Sequence, residues 1–302
     1  MTLCLQRAAN ILSGIYAEKA FKVFRPTKYL PLAIQTMQAF LNTAVEAARV
    51  AGDIAIRYGR RIDELDIRSK SRNEFVTQVD VAAEQAIIEI IRERYPDHGI
   101  LGEETGAIDG KDDVVWIIDP LDGTTNFLHG FPVFAVSIGV QVKGRMTAGV
   151  VYDPSRQELF TAIRGKGAQL DGVRLRVSTK QRLKSALIGT GFPYRLNDVW
   201  MDTYMNQLRA VMLVASDCRR PGSAALDLSY LAAGRLDGFW EFGLQPWDIA
   251  AGSLILREAG GLISSMTDDG DYMETGNLIA GAPKVHEDLE KLLRPLLSPT
   301  IA

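Results

Sequence analysis

The stretch Asp119-Pro120-Leu121-Asp122-Gly123-Thr124-Thr125-Asn126 sets two carboxylates three residues apart, followed by a glycine and two hydroxyls. Carboxylate oxygens, together with a main-chain carbonyl such as that of Leu121, are hard ligands that suit Mg2+. The Gly-Thr-Thr-Asn segment reads as a tight turn opening a helix, whose first N–H groups suit a phosphate. A cation site beside an anion hole would take a metal-bound, phosphorylated substrate. The same residues also fit a plainer reading, in which Asp119 caps a turn and Asp122-Gly123 makes a hairpin. Two further acidic stretches bear on the choice. Glu103-Glu104 follow the short apolar approach Gly99–Gly102, and neighbouring acids there point opposite ways, so one of the two can face a metal. Asp248 opens a helix after Gln245-Pro246-Trp247, where an acid serves as a cap or as a ligand.

These residues need elements to hold them. The β-branched run Val114–Ile118 predicts a buried strand that stops at Asp119-Pro120, because proline cannot donate to a ladder. Phe40 to Tyr58 predicts an amphipathic helix with Leu41, Ala44, Val45, Ala48 and Ala51 on one face, closed by Gly59. A second helix is expected over Asp80–Arg94, with Asp80 as its N-cap, Glu84 in its first turn and Pro96 as its stop. Val133–Val142, Met146–Val151 and Glu158–Ile163 read as a meander of antiparallel strands. Gly165-Lys166-Gly167 lacks the spacing of a phosphate loop and reads as a hairpin turn. Beyond it come a strand at Ala186–Thr190, a helix from Leu196 to Leu213, and a helix opened by Gly222-Ser223. In the strand Asp237–Phe242, Glu241 points opposite to Trp240 and Phe242, and an acid there needs a partner or water. The helix after Pro246 ends at Gly260-Gly261, and a strand near Leu278 and a helix from Lys284 to Leu296 close the chain.

Composition narrows the class. The 302 residues are 47% hydrophobic and 24% charged, which supports an ordinary globular core in one large domain or two small ones. A net charge of −3 gives no global nucleic-acid footprint. Two cysteines, Cys4 and Cys218, fit a reducing cytoplasm better than a disulfide framework. Three histidines without metal spacing argue against zinc. No apolar run is long enough to span a membrane. Residues 1–36 differ from the rest, with five basic side chains against the single acid Glu18. They read as a targeting peptide, as an extra surface helix, or as an extension ahead of a true start at Met37. The third is favoured, with few core contacts expected.

Asp-Pro-Leu-Asp-Gly-Thr-Thr-Asn-Phe resembles the signature of the inositol monophosphatase family of metal-dependent, lithium-sensitive phosphatases. Leu101-Gly102-Glu103-Glu104 and Gln245-Pro246-Trp247-Asp248-Ile249-Ala250-Ala251-Gly252 agree and fall in the family's order. The resemblance begins at about Met37, runs to the C-terminus, and is greatest to bacterial inositol-1-monophosphatases. It implies an α/β fold, a layered αβαβα sandwich with sub-parts of about 37–183 and 184–302. It also implies hydrolysis of inositol-1-phosphate and related polyol monophosphates by water, with two or three Mg2+ ions. Glu103, Asp119, Asp122, Asp248 and the Leu121 carbonyl would hold the metal. Thr124, polarised by Asp80, would orient the water, and Gly123 and Thr124 N–H groups would cradle the phosphate. Asp122, Asp248, Glu241, the Gly222-Ser223-Ala224 turn and Arg219 would contact the substrate. Arg219-Arg220 also reads as a solvated or dimer-face pair. The family implies a homodimer, and close bacterial relatives imply a second role, binding the transcription antitermination machinery without turnover. Other sugar or nucleotide phosphates of the superfamily are the alternative substrates.

Overall fold

The computed structural model describes residues 32–60, 67–71, 74–193, 198–267 and 270–298. The chain divides into two compact units, Met1–Thr36 and Met37–Ala302. In the first, the described residues 32–36 are helical. The expectation for 1–36 otherwise lies outside the described residues.

Helix α1 spans Leu32–Gly59, starting eight residues before the predicted Phe40. The added stretch is rich in Leu, Ala, Gln and Met, good helix formers that extend the pattern once it is nucleated. A short antiparallel ribbon follows, β1 (Ile67–Ser71) with β2 (Glu74–Thr77). Helix α2 covers Gln78–Arg94. Its N-cap is Thr77, not Asp80. The Thr77 hydroxyl accepts the Val79 N–H at 3.0 Å, while Asp80 reaches back to the Thr77 N–H at 2.8 Å. This reciprocal capping box satisfies two otherwise orphaned donors, which is why Asp80 sits one turn inside the helix.

The large sheet is built from β3 (Gly99–Gly102), β4 (Gly106–Ile108), β5 (Val114–Asp122), β6 (Ala135–Val142), β7 (Arg145–Asp153), β8 (Glu158–Ile163), β9 (Gly167–Leu170) and β10 (Val173–Arg174). A short helix, α3 (Thr124–Leu128), interrupts the series after β5. The strand order is β10-β9-β8-β7-β6-β5-β3-β4, and every neighbouring pair is antiparallel except β3 with β5. The predicted meander is therefore observed, with Lys143-Gly144 making its first turn at positive φ. The Gly165–Gly167 loop is a hairpin turn, and its Gly165 and Gly167 N–H groups are taken by Glu258 at 2.7 and 2.8 Å.

The second half supplies β11 (Leu187–Thr190), α4 (Asp198–Val214), β12 (Asp217–Arg219), α5 (Ala224–Ala232), β13 (Gly238–Glu241), α6 (Pro246–Glu258), β14 (Leu262–Ser265), α7 (Tyr272–Thr275), β15 (Leu278–Gly281) and α8 (Pro283–Leu293). Its five strands form one mixed sheet ordered β12-β11-β13-β15-β14. The start of the predicted Leu196 helix lies outside the described residues.

Alternating side chains sort these pieces into five layers. One face of the large sheet, through Trp116, Ile118, Ile138 and Val150, packs on α1 and α2. The other face, through Ile117, Val151 and Phe160, packs on α5 and α6. The far side of those helices meets Phe239 and Ala280 of the second sheet. That sheet's outer face, through Ile188, Trp240 and Ile279, meets α4 and α8. The result is the expected αβαβα sandwich. Close contact across the middle layer depends on missing side chains: a Cβ at Gly149 would lie 3.1 Å from the Ala251 carbonyl oxygen. Each large apolar side chain buried in these layers contributes about 1.5–3 kcal/mol. Of the histidines, His98 is used structurally, accepting the buried Trp116 indole N–H at 2.9 Å. Among the described residues no helix is long and apolar enough to cross a membrane.

Candidate active site

Strand β5 does not stop at Pro120, as the sequence suggested, but runs on to Asp122 through an irregularity. Asp119 pairs with Ser137 and Asp122 with Ala135, so the β5 side holds one residue more than β6 across that interval. Pro120 sits in this bulge, where the ladder asks for no N–H donor, which is why the strand tolerates it. The bulge turns Leu121 inward, buried with Ala55, Val79, Phe127 and Phe134. Anchored there, the segment aims its carboxylates away from that apolar cluster. Gly123 then takes a φ of +95°, and a Cβ on it would meet the Val133 carbonyl oxygen at 2.8 Å. Only glycine fits both demands.

Three carboxylates converge at this point. Asp119, Asp122 and Asp248 each offer an oxygen, all within 4.8 Å of one another. Each is oriented by backbone. Asp119 Oδ1 accepts the Leu121 N–H at 2.9 Å. Asp122 Oδ2 accepts the Ser223 hydroxyl at 2.6 Å and the Ala225 N–H at 2.7 Å, which ties it to the positive end of α5. Asp248 Oδ2 accepts the Gln245 N–H at 2.8 Å, capping α6. Asp248 is thus a cap and a member of the cluster at once. Asn126 knits the surrounding loops by donating to the Val133 and Pro221 carbonyls at 2.8 and 2.9 Å.

Glu103 arrives from the neighbouring strand. The parallel register pairs Gly102 with Ile118, and the Glu103 N–H donates to the Ile118 carbonyl at 3.1 Å. That bond sets Glu103 beside Asp119. Glu103 lines the same cavity; Glu104 does not. Asp119 is 1% exposed, and burial pushes its carboxyl well above the usual 3.8, with Glu103, Asp122 and Asp248 adding repulsion in that order. A buried acid crowded by three others is the electrostatic shape of a cation site.

Asp80 and Thr124 meet behind the cluster. The Thr124 hydroxyl lies 3.1 Å from Asp80 Oδ1 and 3.0 Å from the Leu121 carbonyl oxygen, so one proton serves two acceptors. Burial raises the Asp80 carboxyl above 3.8, opposed by hydrogen bonds from Thr77, its own N–H and Thr124.

The cavity over these groups measures about 400 Å³, and Gly123, Thr124, Gly222, Ser223, Ala224 and Glu241 share its wall with the four acids. Glu241 lies opposite the fully buried Trp240, as alternation predicts. A Cβ at Gly191 would overlap the Glu241 carboxylate, so that glycine makes room for it.

Arg219 is the sequence-predicted residue that the structure does not bring here. Its guanidinium pairs with Asp217 beside it on β12 and stands half-exposed outside the cavity. Arg220 lines the wall instead, its guanidinium 5.1 Å from the centre of the Phe192 ring. The strand ends at Arg219, and Gly222 at φ +95° turns the chain, so the next arginine swings inward. Sequence reading named the pair and favoured Arg219, whereas Arg220 is the one that lines the cavity. It also missed Phe192, for which a Gly-Phe-Pro triplet gives no signal, and Asp227, buried on α5. Burial raises Asp227 well above 3.8, with Glu241 and Asp122 adding to the effect.

Comparison with known proteins gives a consistent picture. The model of the inositol monophosphatase family matches residues 36–298. A protein of Escherichia coli named Nus factor SuhB is 51% identical over 263 residues, 87% of this chain and 98% of that one. The crystal structure of the extragenic suppressor protein suhB from Bartonella henselae superposes with a TM-score of 0.82 at 44% identity, covering 85% of this chain and 98% of that one. An inositol monophosphatase from Anabaena gives a TM-score of 0.76 at 37% identity, with 87% and 98% covered.

Proposed function

The chain belongs to the inositol monophosphatase family, and from that membership and its acidic cavity we propose that it is a Mg2+-dependent phosphomonoesterase acting on inositol-1-phosphate and related polyol monophosphates. The observation that carries this is Asp119, buried among three further carboxylates, with the Thr124–Asp80 pair beside it. The donor set fits the metal, since every group is a hard oxygen and the crowding calls for positive charge. Glu103, Asp119, Asp122, Asp248 and the Leu121 carbonyl would hold two or three ions. Bound there, Mg2+ would supply Lewis-acid polarisation of the phosphate and a lowered pKa for water.

The chain's own groups do the positioning. The Thr124 hydroxyl, aligned by Asp80, orients a water for in-line attack on phosphorus. The water oxygen forms the new P–O bond as the ester P–O bond breaks, and the alcohol leaves with a proton. Gly123 and Thr124, at the start of α3, offer N–H groups to the phosphate oxygens. Glu241, Arg220 and the Gly222–Ala224 turn contact the polyol hydroxyls. On this reading lithium inhibits turnover, and the protein acts in the cytoplasm as a homodimer. The test is phosphate release from inositol-1-phosphate, glycerol-2-phosphate and a panel of sugar and nucleotide phosphates. Mg2+-dependent release abolished by Asp122→Asn supports the reading; release that persists in that variant refutes it.

A second reading has its own support. A relative about half identical carries the name Nus factor, so we also propose a binding role in transcription antitermination that needs no turnover. It is tested by expressing Asp122→Asn in a strain lacking the gene. Restored growth supports the binding role; growth that depends on a working site points to catalysis.

A further inference from the structure

Helix α2 carries a second buried carboxylate one turn beyond Asp80. Glu84 is only 2% exposed. Its Oε2 accepts the Glu104 N–H at 3.0 Å, and its Oε1 accepts the Thr105 N–H at 2.7 Å together with the Thr105 hydroxyl. Three donors from one turn converge on a single carboxylate, and bonds of this kind are stronger than those between neutral partners. The fit is close. A Cβ on Gly102 would come 2.5 Å from Glu84 Oε2, so the carboxylate packs directly beneath the end of β3.

The turn held in this way covers residues 103–105 and joins β3 to β4. Its first residue is Glu103, whose backbone is fixed on the other side by the Ile118 carbonyl. Residues four apart share a helix face. The start of α2 therefore presents Asp80 to Thr124 and Glu84 to the Glu103 turn, and supports both flanks of the acidic cluster.

We propose that Glu84 is a positioning residue for the metal centre, holding the turn so that Glu103 faces the cluster while Glu104 faces away from it. The inference rests on the metal-site reading above. It predicts that the Mg2+ affinity of the cluster depends on a side chain that never touches the ion.

The test is calorimetric titration of the full chain with Mg2+ alone, without substrate. Glu84→Gln keeps the side-chain size but leaves one acceptor oxygen and sets an amide NH2 against an N–H donor. The apparent Kd for Mg2+ should rise about tenfold or more, as losses of supporting hydrogen bonds at metal sites do. The same substitution added to Glu103→Gln should change Kd less than about twofold, because the ligand it positions is already gone. Thr105→Ala removes one donor only, is mild enough to fold, and should raise Kd by about two- to threefold. A purely structural role behaves differently. It would lower the melting temperature equally in both backgrounds and leave Mg2+ affinity unchanged. Asp153→Asn serves as the reference for that behaviour, since buried Asp153 holds the Ser155 and Arg156 N–H groups in another turn. Wild-type Mg2+ affinity in both Glu84→Gln and Thr105→Ala overturns the inference. Failure of the unaltered protein to bind Mg2+ overturns the metal-site reading itself, and the inference with it.

Discussion

Replacing Asp119 with asparagine should make the metal-free protein more stable and remove the stabilisation that Mg2+ gives it. The carboxylates of Asp119, Asp122 and Asp248 lie within 4.8 Å of one another. Two unit charges at that distance repel by about 0.9 kcal/mol in bulk water and about 3.5 kcal/mol at an effective dielectric of about 20. Asparagine removes two of these three pairs and the repulsion from Glu103 as well, and still offers Oδ1 to the Leu121 N–H. The folded protein already relieves part of the repulsion by keeping the Asp119 proton to a higher pH. This keeps the gain below the full Coulomb sum, and each kcal/mol that remains raises Tm by about 2–4 °C for a domain of this size. The sign follows from proton binding. The unfolded chain ionises Asp119 near 3.8, whereas the folded chain holds its proton above that value. Above 3.8 the folded state binds more protons, so this group's contribution falls as pH rises through its raised folded pKa. The advantage of the variant should be absent in acid, grow as pH rises above 3.8, and level off once the folded protein has lost the Asp119 proton. The assay is thermal melting with chelator and with millimolar Mg2+, at acidic and alkaline pH. A metal-free Asp119→Asn protein that melts below the unaltered protein at alkaline pH would refute the crowding argument. So would a variant that still gains as much from Mg2+.

Thr124→Val removes the hydroxyl between Asp80 and Leu121 while keeping the shape; kcat for phosphate release should fall about 10²-fold or more, with Mg2+ affinity nearly unchanged. Arg220→Ala should raise KM for inositol-1-phosphate by about tenfold while Arg219→Ala leaves it within about twofold, because only the former lines the cavity; equal effects would contradict the placement. Gly191→Ala should displace Glu241, raising KM with Tm lowered by a few degrees, and a KM equal to that of the unaltered protein would show that Glu241 does not contact substrate.

Much of the site was legible because its signals are local. Asp119 to Asn126 is one continuous stretch, and Pro246 with Asp248 writes a helix start in three residues. The layers followed from side-chain alternation, as in Val114–Ile118 and the meander after it. Three features were not legible, each for a stated reason. Pro120 looked like a strand end because the one-residue bulge that accommodates it depends on the register of β6, far along the chain. The choice between Arg219 and Arg220 turned on where β12 ends, a boundary that its three residues do not announce. Glu84 looks like any helix-surface acid. It is buried because the turn at 103–105 folds over it, a contact between residues about twenty apart. The capping box at Thr77 was readable from Thr-x-x-Asp spacing, yet Asp80 competes for the cap on composition alone.

The most direct measurement is steady-state release of phosphate from inositol-1-phosphate as Mg2+ is removed and restored, with the unaltered protein and Asp119→Asn side by side. We expect release that vanishes with chelator, returns with Mg2+, and is absent in the variant at every Mg2+ concentration. Release that survives chelation, or that Asp119→Asn supports as well as the unaltered protein, would contradict the assignment of the acidic cluster as the catalytic metal centre.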